Sequence, residues 1–174
     1  MKILIPENLR KDELIKFGAP QALVENVGNI SELKYRVENV DSAYYYLPTI
    51  SNYKILKNLN IIPIFGEGDT FWVFGYNDRI QKIFYFELEN DKIYRNYGTN
   101  WSMLLLDIMF QFFEDEIDSG LTLETFKTVG EKVGFAHTET LFKYLDIPVE
   151  EYNKNYENPT LWKQTIAQQL GIDL

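Results

Sequence analysis

The sequence predicts a mixed fold in which antiparallel strands and helices are segregated along the chain. Three observations carry this. From Ile61 to Tyr97, short apolar runs alternate with turns built from glycine, asparagine and aspartate, the pattern of consecutive hairpins. Trp101 to about Ile117 then holds Trp101, Leu104, Leu105, Ile108 and Phe112 at helical spacing. Beyond Asp118 the texture changes from strands to short helices. Residues 1–118 therefore read as a sheet-bearing core. Residues 119–174 read as a helical extension packed on it within one domain, since their apolar faces are too small to stand alone.

Taken in order, Asn8 to Phe17 is an amphipathic helix with Leu9, Leu14, Ile15 and Phe17 as its apolar residues. Gly18 stands at the C-cap position and Pro20 stops continuation. Gln21 to Asn26 is ambiguous, and Gly28-Asn29 is a turn. Leu33 to Val40 alternates Leu33, Tyr35 and Val37 with Lys34, Arg36 and Glu38, which predicts an antiparallel strand with one solvated face. Tyr44 to Leu47 reads as a second short strand ended by Pro48, and Ser51 as the N-cap of a helix through Leu59.

The strands at the centre of the fold follow at Ile61–Phe65, Thr70–Tyr76 and Ile83–Glu89, and Asn90-Asp91 is a two-residue hairpin turn into Lys92–Tyr97. In the second of them Phe71 and Val73 point one way and Trp72, Phe74 and Tyr76 the other. Both faces are apolar, as in a central strand covered on both sides or left open to a partner. Asn100 is placed to cap the long helix, which should pack on the face carrying Phe84, Phe86 and Leu88. Thr122–Val133, Thr138–Leu145 and a last helix opened by Asn158-Pro159 and closed by Gly171 complete the reading.

Composition narrows the chemistry. With 174 residues, 45% hydrophobic and 16% aromatic, the chain has the material for a packed core. A formal net charge of -9 disfavours direct nucleic-acid binding and would suit a basic protein partner, although ordinary cytoplasmic proteins share it. Without cysteine there is no disulfide, thiolate zinc site or cysteine nucleophile. The apolar run near the N-terminus is too short for a signal peptide. The segment Trp101–Phe113, interrupted by Asp107 and Gln111, falls short of the roughly 20 residues of a bilayer span. The expectation is a cytoplasmic protein with no membrane contact.

Each candidate site also has a plainer reading. Gly66-Glu67-Gly68-Asp69 has two glycines, but no Lys-Ser/Thr and no helix follow, so it is neither a P-loop nor a dinucleotide fingerprint. It reads as a hairpin turn with acids in water or as an acidic loop shown to a basic partner. His137 is the only histidine and lacks ligand spacing or a nucleophile elbow around it, so no metal site and no cofactor are expected. Glu87 and Glu89 on one strand face would lie about 7 Å apart, within reach of glycosidase geometry. The run Glu114, Asp115, Glu116 and Asp118 is the wet end of a helix, mildly unfavourable to its dipole. Trp72, Phe74, Tyr76, Tyr85 and Tyr44 to Tyr46 could stack bases, but the surrounding charge is acidic, and core packing or a protein-binding patch suits them better.

The order of Ile61-Ile62-Pro63-Ile64, Gly68-Asp69, the aromatic strand Phe71–Phe74, the strand Ile83–Glu89 ending in acids, and the helix Asn100–Phe113 resembles the SUKH superfamily of fungal cell-wall synthesis regulators and bacterial immunity proteins. The helix Asn8–Gly18 followed by Ala19-Pro20 is similar to an N-terminal helix of some branches. The likeness covers about residues 1 to 118 and is a pattern of residue classes rather than a catalytic motif. It implies an α+β fold, a twisted and mainly antiparallel sheet with helices packed on it. It also implies a non-catalytic immunity protein of a toxin–antitoxin pair that binds and neutralises a co-encoded toxin domain, often a nuclease. Alternatives are a scaffold or regulatory module without a toxin partner, and a carboxylate-dependent hydrolase. The partner-binding candidates are Glu67, Asp69, Trp72, Tyr76, Asp78, Glu87 and Glu89, with carboxylates standing where phosphates would sit.

Overall fold

The computed structural model describes residues 3 to 173, so the two residues that open the N-terminal run read for a leader lie outside it. The protein is α+β, with a mainly antiparallel sheet in strand order β1-β2-β3-β4-β5 and eight α-helices among the described residues. The chain divides into two compact units, Met1–Trp101 and Ser102–Leu174. The sequence alone drew its line later, at residue 118.

The first unit holds the sheet. β2 (Asn60–Glu67), β3 (Thr70–Tyr76), β4 (Gln81–Glu87) and β5 (Arg95–Gly98) run antiparallel in succession, as the hairpin signals require. β1 (Ile3–Leu4), which the sequence did not announce, adds in parallel to the outer edge of β2. One face of the sheet carries Ile61, Phe71, Val73, Phe84 and Phe86, all fully buried. Gly75 on β3 leaves room there, since a Cβ would lie 2.8 Å from the Phe84 ring and 3.1 Å from Leu59.

The cover of that face differs from expectation. Ala43, Leu47, Ile50, Leu56 and Leu59 fill it, taking the place given to the long helix. Three sequence readings fail in the segment leading to that cover. Tyr44 to Leu47 is not a strand: α3 (Asp41–Tyr46) occupies it, and Ala43 and Leu47 are buried one helical turn apart. Leu33 to Val40 is a 3-10 turn (Ser31–Leu33) and bends, in which Leu33 and Val37 are buried and Tyr35 is 72% exposed. The Leu33 carbonyl accepts from Arg36 and Val37, so the repeat is four residues rather than two. Only Glu38 pairs with the sheet, opposite Gly66.

Ser51 does not cap a helix. A single 3-10 turn (Lys54–Leu56) forms instead, and its opening N–H groups, Lys54 and Ile55, donate to the Asp91 carboxylate at 2.9 and 3.0 Å. Those bonds hold the Asp91 carboxyl below its usual range. The two-residue turn expected at Asn90-Asp91 is not formed: β5 starts only at Arg95, and Glu89 lies beyond the end of β4.

The opposite face is closed at one end by α1 (Glu7–Lys16) and the residues after it. Phe74 stacks between Phe17 at 4.7 Å and Trp101 at 5.9 Å, and the Trp101 indole N–H donates to the Phe17 carbonyl at 2.9 Å. In α1 the buried residues are Leu14 and Arg10, while Leu9 and Ile15, expected inside, are 47% and 41% exposed. Arg10 reaches the outer edge of β2, where Nε donates to the Pro63 carbonyl at 2.7 Å and Nη2 to that of Ile64, beside the bulge between Pro63 and Phe65. α2 (Gln21–Asn26) settles the ambiguous stretch as helix.

The second unit is helical. α4 (Trp101–Glu116) runs into it, followed by α5 (Leu123–Val133), α6 (Thr138–Leu145), α7 (Val149–Tyr156) and α8 (Pro159–Gln169). Thr122 caps α5 through Thr125, and Asn158 caps α8 through Leu161. The core forms around Phe113, whose ring meets Phe126, Phe142 and Tyr152. α5 and α6 meet closely at Gly130, where a Cβ would fall 1.9 Å from Thr138 Cγ2. α7 was missed in the sequence because Val149, Tyr152 and Tyr156 stand alone among polar neighbours, with no residue of the helix fully buried.

Candidate aromatic and acidic face of the sheet

The strand register decides which predicted residues meet. Thr70 pairs with Glu67 on one side and Glu87 on the other, so both glutamates reach the same end of the sheet on the same face. Asp69 lies in the turn at that end, and its carbonyl accepts from Leu88 N–H at 2.8 Å. Tyr76 and Asp78 lie at the other end of β3, about 20 Å away, and Glu89 is exposed past β4. The seven candidates are therefore not one patch: Glu67, Asp69, Trp72 and Glu87 are gathered, and Tyr76 and Asp78 are not. Glu89 lies past the end of β4, so it and Glu87 do not share a strand face as the sequence suggested.

The feature that organises this end is a row of rings. Phe65, Trp72 and Tyr85 are cross-strand neighbours on β2, β3 and β4, with centroids 4.7 Å apart at each step and planes within 19° and 28°. Tyr94, just before β5, continues the row at 6.1 Å from Tyr85 and within 5° of parallel. Exposure rises along it. Phe65 is buried, Trp72 and Tyr85 are half-buried, and Tyr94 is 41% exposed.

Charge is fixed around the row. The Glu87 carboxylate accepts from the Tyr94 hydroxyl at 2.9 Å and from Asn90 Nδ2 at 2.7 Å. The Tyr94 hydroxyl is raised above its usual range, chiefly by that hydrogen bond. Glu67 is ion-paired with Arg36 at 2.5 Å, and Glu38 accepts from Gly68 N–H at 3.0 Å, so the turn between β2 and β3 is braced from the neighbouring loop. Such a surface offers ring faces and a carboxylate to a cationic or aromatic group.

Trp72 and Tyr85 were among the aromatics singled out in the sequence, but Tyr94 was not. Its alternation signal was hidden because the connection after β4 is longer than a two-residue turn. Tyr76 is spent on packing: its ring lies 4.6 Å from Phe17, and burial pushes its hydroxyl up. Tyr44, Tyr45 and Tyr46 belong to α3 rather than to any platform. His137 is exposed at the start of α6, and no group of three or more His, Asp or Glu among the described residues could hold a metal ion. No helix among the described residues is long and apolar enough to cross a membrane. No family model matches the chain, and neither a curated protein nor a solved structure matches it.

Proposed function

We propose that the protein is a non-catalytic binding module of the SUKH type, an immunity protein that neutralises a co-encoded toxin domain by occupying its working surface. The observation that carries this reading is the row Trp72–Tyr85–Tyr94 with Glu87 hydrogen-bonded to its outer ring. Aromatic anchors ringed by polar groups are the usual source of affinity at protein interfaces. Acidic groups beside them, in a chain of net charge -9, speed encounter with a basic surface such as that of a nuclease. Glu67, Asp69 and Glu89 supply charge near the row, and Tyr76 and Asp78 fall outside the interface.

The test is binding to the C-terminal domain encoded in the adjacent reading frame, followed by surface plasmon resonance at several salt concentrations. Tyr94→Ala should speed dissociation about tenfold or more, as expected for loss of an interface anchor. Glu87→Lys should slow association and flatten its salt dependence. Wild-type binding that neither substitution alters moves the interface elsewhere. No binding at all favours a scaffold or regulatory role without a toxin.

A further inference from the structure

The connection between β4 and β5, residues 88–94, brings Tyr94 to the aromatic row without helix or strand of its own. Its two ends are set by the sheet. The Leu88 N–H donates to the Asp69 carbonyl at 2.8 Å, and the Tyr94 N–H to the Tyr85 carbonyl at 3.0 Å. Leu88 and Ile93 pack at the margin of the covered face, and the Tyr53 hydroxyl donates to the Leu88 carbonyl at 2.8 Å. Between these ends Glu89, Asn90, Asp91 and Lys92 are exposed. An exposed stretch of this kind opens readily unless its apex is tied down.

Asp91 supplies that tie. Its two carboxylate oxygens accept from successive backbone N–H groups 37 and 36 residues earlier in the chain, Oδ2 from Lys54 at 2.9 Å and Oδ1 from Ile55 at 3.0 Å. Hydrogen bonds to an ionised acceptor are stronger than neutral ones. Those bonds, and after them the positive charge of Lys54, favour the ionised carboxylate. The turn they open, Lys54–Leu56, ends in Leu56, which is fully buried in the cover. On either side of Asp91 the chain closes on the row instead, since Asn90 and Tyr94 both donate to Glu87 Oε2. One carboxylate therefore joins the cover of one sheet face to the segment that builds the other.

We propose that Asp91 is the positioning residue of the aromatic row: it pins the β4–β5 connection to the cover and thereby holds Tyr94 stacked on Tyr85 and hydrogen-bonded to Glu87. Asp91 acts through Tyr94 and is not itself part of the row. An outer ring held in place before binding leaves a partner less to order, which is how this residue enters affinity. Its value to recognition rests on the reading of the row as an interface, whereas its hold on Tyr94 does not.

The experiment compares the native full chain with Asp91→Ala and Asp91→Asn by NMR, using ring-labelled tyrosine and amide hydrogen exchange with no partner present. Tyr94→Phe assigns the ring signal. In Asp91→Ala the Tyr94 amide should exchange about fivefold faster, the size expected when a capping side chain is lost. Its ring signal should lose part of the displacement that stacking on Tyr85 gives it. Asp91→Asn keeps one acceptor oxygen and should fall between the native chain and Asp91→Ala. The amides of Val73 and Phe74 in β3 should exchange as in the native chain. Unchanged exchange and an unchanged ring signal at Tyr94 would overturn the proposal. So would a loss of protection spread equally over β3, the mark of a general structural role. Because no partner takes part, failure here leaves the interface to be decided by Tyr94→Ala in the binding measurement, and failure of that measurement leaves the Asp91 link untouched.

Discussion

On one face of the sheet Phe71, Val73, Phe84 and Phe86 vanish beneath Ala43, Leu47 and Leu56, while on the other the rings from Phe65 to Tyr94 run outward until the last is 41% exposed. Both faces are aromatic and share the same three strands. They differ in what the neighbouring chain supplies. The closed face is met by a helix and turns whose small and branched residues fill it, and the Tyr53 hydroxyl at its margin is satisfied by the Leu88 carbonyl at 2.8 Å. The open row ends in a hydroxyl tied to a carboxylate. What sets the open row apart from the packed face is an exposed last ring held beside a carboxylate.

Substitutions at matched positions would sharpen that contrast. Phe84→Ala, in the closed face, should lower stability by about 3–5 kcal/mol, read as a fall in the urea midpoint with an unchanged slope. A loss below about 1 kcal/mol would mean the cover collapses freely and is not a packed layer.

A smaller effect, confined to alkaline pH, should come from the cover itself. The Tyr44 hydroxyl on α3 donates to the Ile5 carbonyl at 3.0 Å, and burial pushes it up to about 12, against the pull of nearby Arg10. Because the folded value is raised, its contribution is fully present below the unfolded value near 10 and is lost as pH rises toward about 12. Urea midpoints measured across that window should fall more steeply for the native chain than for Tyr44→Phe. Parallel slopes would show that Tyr44 titrates as freely as in the unfolded chain.

The smallest stability change is expected at the open end. Tyr94→Ala should shift the urea midpoint by the equivalent of about 0.5 kcal/mol or less. A loss comparable to that of Phe84→Ala would make the row a structural element and remove the case for it as an anchor.

Much of this arrangement was legible in the sequence. β2, β3 and β4 were visible because alternation, β-branched residues and glycine turns agreed with one another from Ile61 to Glu87. α5 and α6 were visible because Phe126, Val129 and Val133, and then Leu141, Phe142 and Leu145, keep one buried face. The segment Leu33–Leu59 was misread because its short pieces are consistent with either period, and tertiary contacts decide between them. Val37 alternates with its neighbours as well as it spaces from Leu33. The cap at Lys54 could not be seen at all, since Asp91 lies far along the chain. At the candidate site, the acids of the turn were evident locally, but their separation from Tyr76 and Asp78 and the inclusion of Tyr94 depend on register. A shift of one residue there moves a side chain to the other face.

The outer edge of β2 carries a consequence of another kind. A strand edge with open N–H and C=O groups is a template on which a second copy of the chain can add, strand upon strand. Here the edge is not sealed by a full neighbouring strand. β1 covers only Asn60 and Ile61, the Arg10 guanidinium occupies the carbonyls of Pro63 and Ile64, and Glu38 exchanges backbone bonds with Gly66. Pro63 contributes by lacking an N–H to offer. Resistance to self-templated assembly thus rests on a patchwork in which α1, with its Arg10, covers the middle. Because Arg10 is itself buried, its loss would leave those two carbonyls without their donor, a cost to stability that would come together with an opening of the edge.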